Sequence, residues 1–304
     1  MRAAARCAYD PRMAIESSAL SARSYELATT VERVAAGVGA VEGRARLGSS
    51  GFYVRPELIL TADHALENDD VEIVHADGET ETVTIAGRDP STDLALLRSH
   101  RPGVPLAFAS TEPLRAGALV VAVARDDDGD VAATMGVLSA VGPAWRTWHG
   151  GHIDQFVRPD LSLYPRFSGS PLADAGGRVI GLNTAGLSRR QALTVPLATI
   201  ERVVDALLAG GGRLPRGYLG VALQAVSGGA IVLGVEAEGP AARAGVIVGD
   251  VIVGLGEATV NDADDVHAQL GADVVGKSIA LHVRRGGVPR TLSVTVGDRP
   301  QDDR

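Results

Sequence analysis

A single cysteine, Cys7, stands in the 304-residue sequence, so no disulfide can form within the chain. Its polar surroundings near the N-terminus give no reason to read it as a catalytic thiol. Clustered Lys and Arg are absent as well, and the formal net charge is −8. A protein that holds nucleic acid or an anionic membrane needs a concentrated basic face, and this chain carries none. No run of about 18 apolar residues occurs, which excludes an ordinary spanning helix. The opening MRAAARCAYDPRMAIESS is positively charged, but no apolar stretch of about 7–15 residues follows it, so the pattern of a secretory signal is missing. The expectation is a cytoplasmic location. Met13 is an alternative start, and a misplaced start leaves a periplasmic location open. Metal ligation is also unsupported: His149 and His152 in WHGGH are separated by two glycines with no third ligand nearby, and RDDDGD (125 to 130) lacks the twelve-position spacing of a calcium loop. The acidic run reads as a solvated hairpin turn. No metal and no cofactor are expected.

What is present is ample apolar material, 45% of residues against 22% charged, on a chain long enough for about two domains. Residues 17 to 38 place Leu20, Leu27, Val31 and Val34 at helical spacing, which predicts an amphipathic helix. From about residue 48 to 195 short β-type runs follow one another: GFYV, LILTA, VEIVHA, ETVTIAG, LALL, ALVVAVA and GRVIGLNTA, separated by Gly, Asp and Pro. This punctuation marks an all-β barrel or sandwich. LATIERVVDALLAG (197 to 210) returns to helix, and GGGRLPRG (210 to 217) breaks it as a linker. The remainder, to about residue 300, has its own apolar set and forms a second compact domain.

Three polar residues stand out against this frame. His64 ends a β-type run in LILTADHAL, Asp93 precedes another in DPSTDLALL, and Ser168 sits in the turn RFSGSPL. Acyl transfer by a serine hydroxyl needs a base within hydrogen-bond reach and a carboxylate to fix the tautomer of that base. These three residue types complete such a set.

TADH, DPSTDLALL, TMGVLSAVG, SGSPL and GRVIGLNTAG, in this order, resemble the trypsin-like serine proteases of the HtrA/Deg type. YLGV, GPAARAGVIVGDVIVGLG and DADDVHAQLG resemble a PDZ domain. The resemblance implies a mainly β protein: two six-stranded trypsin-like barrels, then a small α+β PDZ domain. The expected layout is an N-terminal leader and helix over 1–39, a protease domain over 40–209 and a PDZ domain over 217–300. It further implies a catalytic His64, Asp93 and Ser168, and an oxyanion hole from the N–H groups of Arg166 and Ser168. Ser162, Asn183, Thr184 and Ala185 would form the primary pocket. No acidic residue is among these four, so small or medium apolar residues are expected before the scissile bond. In the PDZ domain the N–H groups of Leu219, Gly220 and Val221 would hold a peptide carboxylate, flanked by Tyr218 and by Val266 and Leu270 on one helix face. Polypeptide substrates and C-terminal peptides are the implied partners, and the 17 to 38 helix is either the contact of a homotrimer or an intramolecular strut covering the barrel.

Two residues depart from the family pattern. Arg166 and Ser170 stand where relatives carry glycine, and Arg166 falls on the backbone that should donate to the oxyanion. The expectation is a serine endopeptidase with a handicapped loop, set against a protease-like scaffold that binds polypeptides as an adaptor or chaperone without cutting them.

Overall fold

The computed structural model describes residues 11–43, 48–67, 70–109, 113–126, 128–188 and 191–299, with the backbone alone over 11–19. The leader before residue 11, with Cys7, lies outside the described residues. Helix α1 (Pro11–Ala35) leads into strands β1 (Val38–Glu42), β2 (Ser49–Arg55), β3 (Leu58–Ala62), β4 (Val71–Val74), β5 (Thr80–Asp89) and β6 (Leu94–Arg98). These close into a barrel in the order β1-β2-β3-β6-β5-β4, every pair antiparallel. Closure leaves the sheet without a free edge.

The next strands are β7 (Leu119–Arg125), β8 (Val131–Gly142), the short hairpin β9 (Trp145–Arg146) and β10 (His152–Ile153), then β11 (Phe156–Asp160), β12 (Pro171–Asp174), β13 (Val179–Thr184) and β14 (Leu193–Pro196). Six of them form a sheet in the order β11-β8-β7-β12-β13-β14. Its end strands β11 and β14 lie against one another, so the sheet curls into a second barrel-like layer. Helix α2 (Leu197–Ala209) then packs back over β5, β6, β13 and β14.

β3 and β6 are apolar without alternation because both of their faces are covered. Ile59, Ala95 and Leu97 point into the first barrel with Val41, Ile73 and Val83. Leu58, Leu60, Leu94 and Leu96 point outward into a core shared with Val121, Leu182, Ile200, Val203 and Leu207 of the second sheet and α2. The interior of the second sheet is a separate cluster that includes Leu138, Leu172 and Phe167. On α1 the expected stripe holds for Leu27, Val31 and Val34, whereas Leu20 is 68% exposed, because only the last turns of the helix reach the body. Arg125 fastens that end. Its buried guanidinium donates to the carbonyls of Ala35 (3.0 Å), Val38 (2.7 Å) and Gly129 (2.5 Å), which satisfies the last turn of α1.

After residues 210–216 come β15 (Gly217–Tyr218), β16 (Val221–Val226), β17 (Gly229–Val235), α3 (Pro240–Arg243), β18 (Val251–Leu255), β19 (Ala258–Thr259), α4 (Ala263–Ala268), β20 (Ser278–Arg285), β21 (Val288–Thr295) and β22 (Gly297–Asp298). This unit has its own core around Leu219, Val232, Ile252, Val266, Leu281 and Val294. No helix of the described residues is long and apolar enough to cross a membrane.

Candidate active site

His64 lies in a single 3-10 turn, Asp63–Ala65, at the end of β3. The turn is gripped from two directions. Asp93 supplies Oδ1 to the His64 N–H (2.8 Å) and its own carbonyl to the Asp63 N–H (3.2 Å). Arg88 on β5 donates to Asp63 Oδ1 (2.5 Å) and to the carbonyls of Asp63 (3.2 Å) and Leu66 (2.9 Å). Burial pushes the Asp63 carboxyl up from its ordinary range, with Arg88 opposing the shift.

Asp93 itself sits at φ 59, one of two non-glycine residues at positive φ among the described residues. Aspartate tolerates that region better than most side chains, yet the conformation costs about 1–3 kcal/mol and persists where surrounding contacts hold it. Those contacts are identifiable. Asp93 Oδ2 accepts from His64 Nδ1 (2.8 Å) and from the Thr184 hydroxyl, which in turn accepts from the Gly186 N–H (2.8 Å). A carboxylate can only accept, so the proton sits on Nδ1, and Nε2 is the basic nitrogen of His64. Gly186 closes the arrangement: a Cβ there would lie 2.5 Å from Asp93 Oδ2 and 2.7 Å from His64 Nδ1. Only glycine fits without parting the pair.

Ser168 arrives from the second sheet. It follows a 3-10 turn, Pro165–Phe167, is 8% exposed, and shares with His64 one cavity of ≈300 Å3. Phe167 is anchored in the interior of the second sheet, and Ser50 of β2 holds the loop by donating to the carbonyls of Arg166 (Oγ, 2.9 Å) and Ser168 (N–H, 3.0 Å). Among the described residues no hydrogen bond joins the Ser168 hydroxyl to His64. The Ser168 N–H donates to the Pro165 carbonyl at 3.0 Å. Arg166 lies within the turn and is absent from the positive-φ positions, so its side chain meets no backbone strain. Ser170, the other departure, is fully buried. Its hydroxyl donates to the Phe167 carbonyl (2.7 Å) and accepts from Asn183 (3.2 Å), fixing the far side of the loop.

Of the expected pocket residues, Asn183, Thr184 and Ala185 line the cavity together with Leu163, Tyr164 and Ala192. Ser162 does not line it and points to solvent. The Asn183 amide is spent on Ser170 and Thr194, so this residue frames the wall without offering a polar group. Sequence reasoning missed that Thr184 bonds Asp93, and it missed Gly186, Arg88 and Ser50. Each acts across barrels or strands, so no local spacing marks it.

In the last unit Tyr218 pairs with Gly297, and Gly220 adopts φ 73. The carbonyls of Leu219 and Gly220 accept from Ala241 (2.8 Å) and Glu236 (2.9 Å), while their N–H groups make no hydrogen bond among the described residues. Val221 begins β16. Val266 is fully buried in the core instead of facing a groove. Leu270 lies beyond α4, which ends at Ala268, and its carbonyl accepts from the Gly217 N–H (3.1 Å). The two residues therefore do not share a helix face, because Gly271 stops the helix early.

Residues 49–182 match the family model of the trypsin-like peptidase domain, and residues 217–296 match that of the PDZ domain. The fold is thus a trypsin-like peptidase unit joined to a PDZ module. A probable periplasmic serine endoprotease, DegP-like, of Brucella suis is 34% identical over 275 residues, covering 83% of this chain and 53% of the relative. A relative of the same name in Pseudomonas fulva is 32% identical over 290 residues, covering 88% and 60%. The chain spans little more than half the length of these curated relatives. The solved structure of the HtrA-type protease AlgW with decapeptide superposes with a TM-score of 0.66 and 26% identity over 91% of this chain and 99% of that one. The chain belongs to the HtrA-type family of trypsin-like serine proteases with a PDZ domain.

Proposed function

We propose that the protein is a serine endopeptidase that cleaves misfolded or exposed polypeptides through Ser168, His64 and Asp93. The observation that carries this reading is the Asp93-held His64, its Nε2 unengaged among the described residues, opening on the same cavity as Ser168. In the reaction the Ser168 hydroxyl oxygen bonds to the scissile carbonyl carbon while His64 Nε2 takes its proton. Asp93 stabilises the imidazolium that forms. The proton then passes to the leaving amine, and water repeats the cycle on the acyl-enzyme. The oxyanion draws on the N–H groups of Ser168 and Arg166, so the loop must first release the Ser168 N–H from Pro165. With that hydrogen bond made, the loop is in a resting arrangement. The apolar lining by Leu163, Tyr164, Ala185 and Ala192 supports small or medium apolar residues before the cleaved bond.

The PDZ domain takes an extended peptide or a free C-terminus as an added strand beside β16, its carboxylate held by the N–H groups of Leu219, Gly220 and Val221 beside Tyr218. The unengaged Leu219 and Gly220 N–H groups support this. Amidation of a peptide C-terminus should then weaken binding sharply. A trimer would present the exposed Leu20 and Tyr25 of α1 as its contact, giving three times the 31.3 kDa chain mass in sedimentation. The relatives' names carry a periplasmic location, against the cytoplasmic one expected from the leader, and cell fractionation distinguishes the two.

The catalytic reading is tested with a fluorophosphonate probe and a casein digest. Labelling of the parent but not of Ser168→Ala or His64→Ala, with casein cleavage lost in both, is the expected result. A parent that binds unfolded polypeptide without labelling or cutting is instead the non-cleaving scaffold, which the Pro165–Ser168 hydrogen bond would then explain.

A further inference from the structure

Between the two units the chain crosses a second cavity, ≈410 Å3 in volume, lined by Arg88, Arg213, Arg216 and Arg299 around the backbone of Gly211 and Gly212. Four arginine residues border this one space in a protein whose formal charge is −8. Two are balanced: Arg88 by Asp63 (2.5 Å) and Arg213 by Asp298 (3.0 Å). The other two are not. Arg216 Nη2 is enclosed and has no hydrogen-bond partner, and Arg299 makes no side-chain hydrogen bond or ion pair among the described residues. An enclosed guanidinium N–H without an acceptor is costly, and like charges gathered around one space repel. An anion in that space relieves the repulsion.

We propose that this junction is a binding site for a phosphate-type oxyanion, held chiefly by Arg216 and Arg299. The charge count sets the class. Arg216 and Arg299 carry two positive charges that no carboxylate pairs among the described residues, although Asp264 borders the adjoining space, and a phosphate group, which carries about −1.5 to −2 at neutral pH, answers that excess. Planar guanidinium forks suit an anion with several acceptor oxygens better than the two of one carboxylate. The site lies away from the cavity of His64 and Ser168, and the adjoining space beside Trp148, His149 and His267 also reaches Arg216 and Arg299. A bound oxyanion would tie the linker to the end of the PDZ unit. It would also lie beside Arg88, whose N–H donates to the Gly212 carbonyl (3.4 Å) and whose side chain grips the His64 turn.

The test is calorimetric titration of the full chain with inorganic phosphate, ionic strength being held constant with chloride. Saturable binding at one site is expected, weakened roughly 10-fold or more by Arg216→Gln and by Arg299→Gln and unchanged by Arg23→Gln on the exposed part of α1. Phosphate should also raise the unfolding temperature of the parent more than of either cavity variant. The proposal is overturned if millimolar phosphate gives no saturable heat, if both cavity variants bind as the parent does, or if glutarate matches phosphate, which would reduce the site to general charge attraction. Should Arg216→Gln lose its fold by circular dichroism, Arg299→Gln carries the test, since its side chain holds no other described residue.

Discussion

His64 and His75 both hold a carboxylate at 2.8 Å, and both belong to the first barrel. Their second ring nitrogens differ. His75 Nε2 faces Glu81 while Nδ1 meets the Tyr53 hydroxyl (3.0 Å), and the ring is enclosed with a side-chain exposure of 8%. Glu81 is itself saturated by the Ser99 hydroxyl (2.7 Å) and the His100 N–H (2.6 Å). His64 keeps 31% of its side chain exposed, and its Nε2 opens on the crevice. A histidine–carboxylate pair is therefore no catalytic signature. The unspent nitrogen beside a cavity is what distinguishes a base from a bolt.

Exchange of each histidine gives the sharpest separation. His64→Ala should reduce casein cleavage by at least about 10⁴-fold with little change in stability, because its side chain is partly exposed and holds only Asp93. His75→Ala should leave turnover per folded molecule within a few-fold of the parent. It should cost about 2–4 kcal/mol in urea unfolding, because Tyr53 and Glu81 lose their partner in a closed space. Similar losses of turnover in both variants would break the comparison. A smaller effect is expected at Gly186. A methyl group there must push His64 and Asp93 apart, and a displacement of about 1 Å costs on the order of 10²-fold in turnover. The His75 pair, untouched, should keep the stability of Gly186→Ala close to that of the parent.

The Ser168 loop lacks the preparation seen at His64. Its own N–H is committed to Pro165, in a turn that Arg166 occupies without strain. Glycine reaches the alternative conformation more readily, since it carries no Cβ. Arg166→Gly should therefore raise turnover of a short apolar peptide roughly 10-fold or more, up to the 10²–10³-fold of one oxyanion donor. KM should change much less, because the donor acts on the tetrahedral intermediate. A flat or falling turnover would show that the arginine is not what holds the loop, and would leave the roles of His64 and Ser168 untouched.

How far these features can be read in the sequence follows from their range. Double-faced strands such as LILTA and LALL announce themselves as apolar runs between turn residues, and the shared core around Leu60 and Leu182 explains why they do not alternate. His64, Asp93 and Ser168 are legible through short flanking patterns. Thr184 and Gly186 support Asp93 from the other barrel, so their part emerges only when the sheets meet. The apolar spacing of Val266 and Leu270 continues the helical period past Ala268, where α4 ends, and the contact of Leu270 with Gly217 that accompanies this ending has no local sequence mark. His75 carries no pattern at all, since its partners Tyr53 and Glu81 come from β2 and β5.

The smallest expected effect tests the bolt itself through pH. Burial pushes the Glu81 carboxyl up, and the His100 N–H, the Ser99 hydroxyl and the His75 ring together outweigh it, so the group ends below its ordinary value. A carboxylate whose folded pKa is depressed binds protons more readily in the unfolded chain. Its stabilising contribution is fully present above the unfolded value of about 4.3 and is lost as pH falls from there through the folded value. Unfolding midpoints of the parent should therefore decline between about pH 5 and pH 3 more steeply than those of Glu81→Gln, whose amide does not titrate. At neutral pH the variant should be the less stable of the two, by about the 1.5–3 kcal/mol of hydrogen bonds to a charged group. Casein cleavage measured near neutral pH should be equal in both. Parallel pH profiles for parent and variant would mean that Glu81 contributes no linked protons, and the closed histidine pair would then owe its stability to packing around Tyr53 alone.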